Sequence, residues 1–116
     1  MPSFRFHGTS GRSYGYELVD PTAAGALKHG GGNYIFAGPM TGASGPIVFY
    51  IGETDSIPHA LGLSNRWKIA TSQYPGCVLY VHLQQDPESR RAEKIDLVKR
   101  HNPPMNALDT GAEDQE

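Results

Sequence analysis

The sequence predicts a small mixed α+β domain: a central antiparallel sheet of three core strands plus an N-terminal β-hairpin, flanked by helices. Three observations predict it. Two pairs of short β-forming runs, each pair joined by Gly-, Ser- or Pro-rich residues, read as two hairpins. The run Cys77-Val78-Leu79-Tyr80-Val81-His82-Leu83 is nearly continuous in apolar residues, as a strand covered on both faces should be. An Asp86-Pro87 start followed by Ala92, Ile95 and Val98 at i, i+3 and i+6 reads as an amphipathic helix.

The elements follow in order. Ser3 to His7 alternates with period two, and Ser13 to Val19 is also strand-like, with Thr9-Ser10-Gly11 as the turn between them. The Phe and Tyr residues of this hairpin should cover one side of the core. Residues 20–32 read as a loop with a short helical turn at 22–27. The run Gly30-Gly31-Gly32 has no helix after it, so it is not a phosphate-binding loop.

The second hairpin joins Gly32–Phe36 to Val48–Gly52 across a turn-like segment from Pro39 to Pro46. Each of its strands carries a tyrosine near a glycine. A glycine lets another group approach the backbone closely, and a tyrosine offers an apolar face with a hydroxyl at its tip. Asp55 or Ser56 then caps a helix with Pro58 in its first turn, extending through Ala60 and Leu61. Arg66 to Ala70 reads as a second helical piece, with Trp67 and Ile69 as core candidates. Tyr74-Pro75-Gly76 is a turn. The Cys77–Leu83 strand is expected in the middle of the sheet, with His82 a hydrogen-bonded sheet histidine. The final helix, with Leu97 beside its stripe, ends at Asn102-Pro103-Pro104.

The 116 residues suit one domain, 38% of them hydrophobic and 19% charged, enough for a modest core. The expected division is a single unit over 1–106, with the hairpin at 1–20 and the core at 32–106, then an acidic disordered tail over 107–116. No apolar run is long enough for a membrane helix, so no membrane partner is expected. The single cysteine, Cys77, fits a small buried hydrophobe and a cytoplasmic location. No paired Cys or His-Glu-x-x-His spacing suggests zinc. The formal net charge of −2 argues against a generic nucleic-acid binder. Its distribution modifies that. Asp109, Glu113, Asp114 and Glu116 lie in the tail, so residues 1–106 hold eight acids and ten bases, a net of +2. Arg90, Arg91, Lys94, Lys99 and Arg100 cluster on the last helix as an anion-binding candidate, which the acidic tail could shield.

These motifs resemble the GIY-YIG endonuclease domain. The resemblance spans about Gly32 to Asn106. It rests on Gly32-Asn33-Tyr34, on Tyr50-Ile51-Gly52, on the following helix–strand–helix order and on Asn102-Pro103-Pro104-Met105-Asn106. It implies a metal-dependent phosphodiesterase using Mg2+ or Mn2+. Tyr34 or a water it helps activate would take part in proton transfer, and Tyr50 would line the site. An arginine would meet the phosphate, a glutamate would hold the metal, and Asn106 would support fold and site. Gly52 and Asn106 match the pattern, while Asn33 replaces the usual aliphatic residue.

Two positions depart from the pattern. The family arginine falls eight residues after Gly52, which here is Ala60. The neighbouring His59 and the later Arg66 are the substitutes. The family glutamate falls three residues before Leu97, which here is Lys94. Glu93 is adjacent, one helical step of about 100° away. Losing one preorganised transition-state contact costs roughly 10²–10³ in rate. Tyrosines alone do not compensate, because an unperturbed phenol with a pKa of about 10 is a poor base near neutrality. The expected function is therefore a GIY-YIG-like pseudoenzyme acting through nucleic-acid or protein binding. An active DNA endonuclease using Tyr34, Tyr50, Arg66 and Glu93 is the alternative, and an accessory assembly subunit the third reading.

Overall fold

The structure is a computed structural model that describes residues 3–20, 30–38, 46–57 and 65–106. Its elements are β1 (Ser3–His7), β2 (Ser13–Val19), β3 (Gly32–Ala37), β4 (Val48–Thr54), α1 (Asn65–Gln73), β5 (Val78–Leu83) and α2 (Pro87–His101). The five strands form one antiparallel sheet in the order β1-β2-β5-β3-β4. The expected α+β class is observed. The apolar run of β5 has the place its composition implies, in the middle of the sheet between the two hairpins. The expected helical turn at 22–27, Pro58 to Leu61 and the tail lie outside the described residues.

Side chains alternate across a strand, so the sheet has two distinct faces. On one, Tyr34, Phe36, Tyr50, Leu79 and Val81 pack with Ile57, Met105 and Ala70 of α1. On the other, Phe6, Tyr16, Ile35, Ile51 and Tyr80 pack with Leu97 of α2. Phe6 sits edge-on to Tyr16 and Tyr80 at centroid distances of 5.4 and 5.2 Å, a favoured aromatic geometry. The N-terminal hairpin thus supplies the aromatic floor beneath α2, as its alternation implies. In β4 the register slips between Phe36 and Ala37, whose partners are Tyr50 and Val48. The extra residue, Phe49, packs against the α1-side core and stacks on Tyr74 at 3.9 Å. The bulge thereby turns an additional aromatic ring onto that face.

Helix α2 begins where its sequence says. Asp86 is the N-cap, its carboxylate accepting from the Ser89 backbone N–H at 3.2 Å, and Pro87 follows it. It ends with Asn102 in the left-handed region at φ 47°, donating its N–H to Val98, a common helix stop. Its buried stripe differs from expectation. Ala92 and Ile95 are exposed and Val98 half-buried, while Arg90, Glu93 and Leu97 are buried. The helix is rolled by about one residue so that a cation and a carboxylate face the sheet, where each finds partners. In α1, Ala70 is buried on the face it shares with Trp67, three residues earlier, which meets Phe36 edge-on at 5.0 Å, and Ile69, off that face, is exposed.

Candidate functional site

Tyr34 and Tyr50 meet on the α1 face. Their ring centroids are 6.0 Å apart, and both are nearly buried. Strand register produces this meeting. Tyr34 lies opposite Gly52, and Phe36 lies opposite Tyr50, so the two tyrosines are diagonal neighbours on one face. Gly52 makes room for the Tyr34 ring, since a Cβ at position 52 would lie 2.6 Å from the Tyr34 hydroxyl oxygen. Arg66, at the start of α1, brings its guanidinium carbon to 5.4 Å from the Tyr50 ring centroid, within cation–π range. Of the two arginine substitutes, Arg66 therefore reaches the tyrosine pair. His59, like Ala60, lies outside the described residues.

Glu93 is on the other face of the sheet. Its carboxylate accepts from the Tyr16 hydroxyl and hydrogen-bonds His82 Nδ1 at 2.9 Å. Burial is the main cause that pushes the Tyr16 phenol well above its usual pKa, with the Glu93 charge adding to it. His82 is raised chiefly by its hydrogen bond to Glu93, against the opposing effect of burial. Beside this group, the buried Asn33 donates its side-chain N–H to the Arg90 carbonyl at 3.0 Å. Its side-chain oxygen has no hydrogen-bond partner among the described residues.

Arg90 does not stand on an anion-binding surface. Its side chain is 4% exposed, donating through Nε to Glu53 at 3.2 Å and through its terminal nitrogens to Asp55 and to the carbonyls of Gln84 and Gln85. Gly31 gives it space, because a Cβ there would overlap the guanidinium. Four of its five donors thus tie α2 to the ends of β4 and β5. Among the other cations of α2, Arg91, Lys99 and Arg100 are exposed and Lys94 is half-buried.

Asn106 has a distinct task. Its side-chain oxygen accepts from the Ile51 N–H and its side-chain nitrogen donates to the Ile51 carbonyl, each at 2.8 Å. The amide imitates a neighbouring strand at the outer edge of β4, next in sequence to the tyrosine Tyr50.

The resemblance implies a divalent cation, and the donors present do not fit one. Glu93 is engaged by two donors across the sheet from the tyrosines. Lys94, at the position where the family pattern puts the carboxylate, is a cation. No group of three or more His, Cys, Asp or Glu among the described residues is placed to hold a metal ion. Compared with protein-family models, curated proteins and solved structures, the chain has no match. No described helix is long and apolar enough to cross a membrane.

Sequence patterns did not reveal the roles of Tyr16 and Asp96. Period-two alternation put Tyr16 on a core face, but its partner, Glu93, is far along the chain. Asp96 accepts from the Ser10 N–H at 2.8 Å, from the Ser10 hydroxyl at 2.6 Å and from the Tyr14 hydroxyl at 2.8 Å. These bonds fasten the tip of the N-terminal hairpin to α2.

Proposed function

We propose that this chain is a GIY-YIG-like domain that binds nucleic acid without cleaving it efficiently. The resemblance is supported by the Tyr34–Tyr50 pair with Gly52 beneath the Tyr34 ring, and by Asn106 on the Ile51 backbone. The loss of cleavage rests on one observation: the Glu93 carboxylate is bound to Tyr16 and His82 on the face opposite the tyrosines. Among the described residues no carboxylate stands beside the tyrosine pair to place a divalent ion near the phosphate, and Arg66 is the cation seen against it to meet developing transition-state charge. Each missing contact of this kind costs on the order of 10²–10³ in rate.

The Arg66–Tyr50 contact is the observation that favours the alternative, an active nuclease with a relocated arginine. A plasmid assay separates the two. Supercoiled DNA is incubated with the protein in Mg2+ and in Mn2+, beside Tyr34→Phe and Glu93→Gln. The expected outcome is background nicking in all samples. Robust nicking that disappears in Tyr34→Phe would overturn the non-cleaving function.

A further inference from the structure

We infer that nucleic acid docks on the side of the domain opposite Tyr34 and Tyr50, across the outer ridge of α2 and the tip of the β1–β2 hairpin. This rests on the nucleic-acid-binding function proposed above and assigns it a surface.

The ridge follows from helix geometry. Residues four apart stack on one side of a helix, so Arg91, Ile95 and Lys99 form a line, and all three are exposed. From Arg91 to Lys99 the helix rises about 12 Å at 1.5 Å per residue. A duplex carries a phosphate about every 3.4 Å along each strand, so the ridge matches about three to four of them.

Hydrogen bonds fix the acids near this surface without removing their charge. Glu93 is buried against Tyr16 and His82. Asp86 is committed to the N-cap through Ser89. Asp96 accepts from Ser10 and Tyr14, and the hydrogen bonds from Ser10 hold its pKa below the usual carboxylate range, so it stays ionised and faces the hairpin tip. The exposed acid on the helix is Glu88, in its first turn. From Arg91 onward the exposed and half-buried charges of α2 are Arg91, Lys94, Lys99 and Arg100 against Asp96, so the outer and C-terminal parts of the helix are net positive.

The hairpin extends that charge. Arg100 is four residues after Asp96 and shares its flank of the helix. Asp96 fixes Ser10, and Arg12, two residues further along the hairpin tip, is exposed. Its backbone N–H donates to the Ser10 hydroxyl oxygen at 3.3 Å, so the same anchor holds Arg12. Two elements far apart in sequence thus contribute cations to one side of the molecule. Such a surface reads phosphates by charge and position, without sequence information.

The test measures the affinity of the full chain for a fluorescein-labelled DNA duplex by anisotropy, from 50 to 200 mM NaCl. The variants are Arg91→Gln/Lys99→Gln, Arg12→Gln/Arg100→Gln and, as a control on exposed α1, Lys68→Gln. Each phosphate contact adds about 0.9 to the slope of log affinity against log salt. Each double variant should therefore lower the slope by about 2, so that its affinity falls about twelvefold less than the wild type's between 50 and 200 mM NaCl. Lys68→Gln should leave it unchanged. If the wild type binds and both double variants keep its slope, the surface is refuted and the binding function stands. If the wild type binds no duplex at 50 mM, the binding function itself fails.

Discussion

Asn106→Ala is the substitution that most directly tests how the β4 edge is held. The wild-type amide closes two hydrogen bonds of 2.8 Å on the Ile51 backbone, and Ile51 is fully buried. Alanine leaves that N–H and that carbonyl without a partner. A buried polar group left unsatisfied costs about 1–3 kcal/mol. Partial rescue by water brings the sum for two groups to about 2–4 kcal/mol. For a domain of this size, at about 4 °C per kcal/mol, Tm falls by roughly 8–16 °C. Thermal unfolding followed by circular dichroism measures it. Asn106→Asp sharpens the test. Its carboxylate can still accept from the Ile51 N–H but faces the Ile51 carbonyl without a proton to donate. It should destabilise at neutral pH at least as much as alanine, and recover relative to alanine when acid protonates it. A Tm for Asn106→Ala within about 2 °C of the wild type would refute the edge-capping account, being smaller than the loss of one such bond.

Gly52→Ala should cost about 1–3 kcal/mol in urea unfolding, the usual penalty of overpacking, because the new Cβ would meet the Tyr34 ring; an unchanged midpoint would show that the ring moves freely. The raised pKa of His82 gives a pH dependence. The charged groups facing the ring are Glu93, which raises it, and Arg5, which lowers it, with the neutral Tyr16 phenol at 5.4 Å. A histidine whose folded pKa lies above its unfolded value of about 6.5 stabilises fully below that value, and loses the contribution as pH rises through the folded pKa. Stability should therefore decline from mildly acidic pH upward, and His82→Gln should flatten that decline. An identical slope in the variant would remove His82 from the account.

The sequence was most informative where a local rule acts on neighbouring residues. Alternation located β1 and β2, the apolar run located β5, and Asp86-Pro87 located the start of α2. The pairing of the two tyrosine-bearing strands was also legible, whereas the register that sets Tyr34 opposite Gly52 is known from the structure. The face that α2 turns inward was not legible. Its apolar residues Ala92, Ile95 and Val98 suggested one stripe, but Arg90 and Glu93 found buried partners in Glu53, Asp55, Tyr16 and His82. Those partners come from three strands and a loop, and no local pattern announces them. The same limit explains the candidate site. Motif spacing named Glu93 as a metal ligand within one residue, whereas a single helical step decides which side of the sheet a carboxylate serves.

The place of β5 has a consequence for how the chain reaches this structure. Both hairpins form from neighbouring residues, yet each needs β5 as its inner partner, with Glu17 pairing to Val81 and Asn33 to His82. Closing pairs so distant in sequence is slow, because chain entropy is lost before the contacts repay it. During synthesis the strands of both hairpins emerge before residues 78–83, and a hairpin formed then has an unpaired inner edge. That interval is when the protein is most open to pairing with the wrong strand, and it ends with the arrival of six residues near the end of the domain.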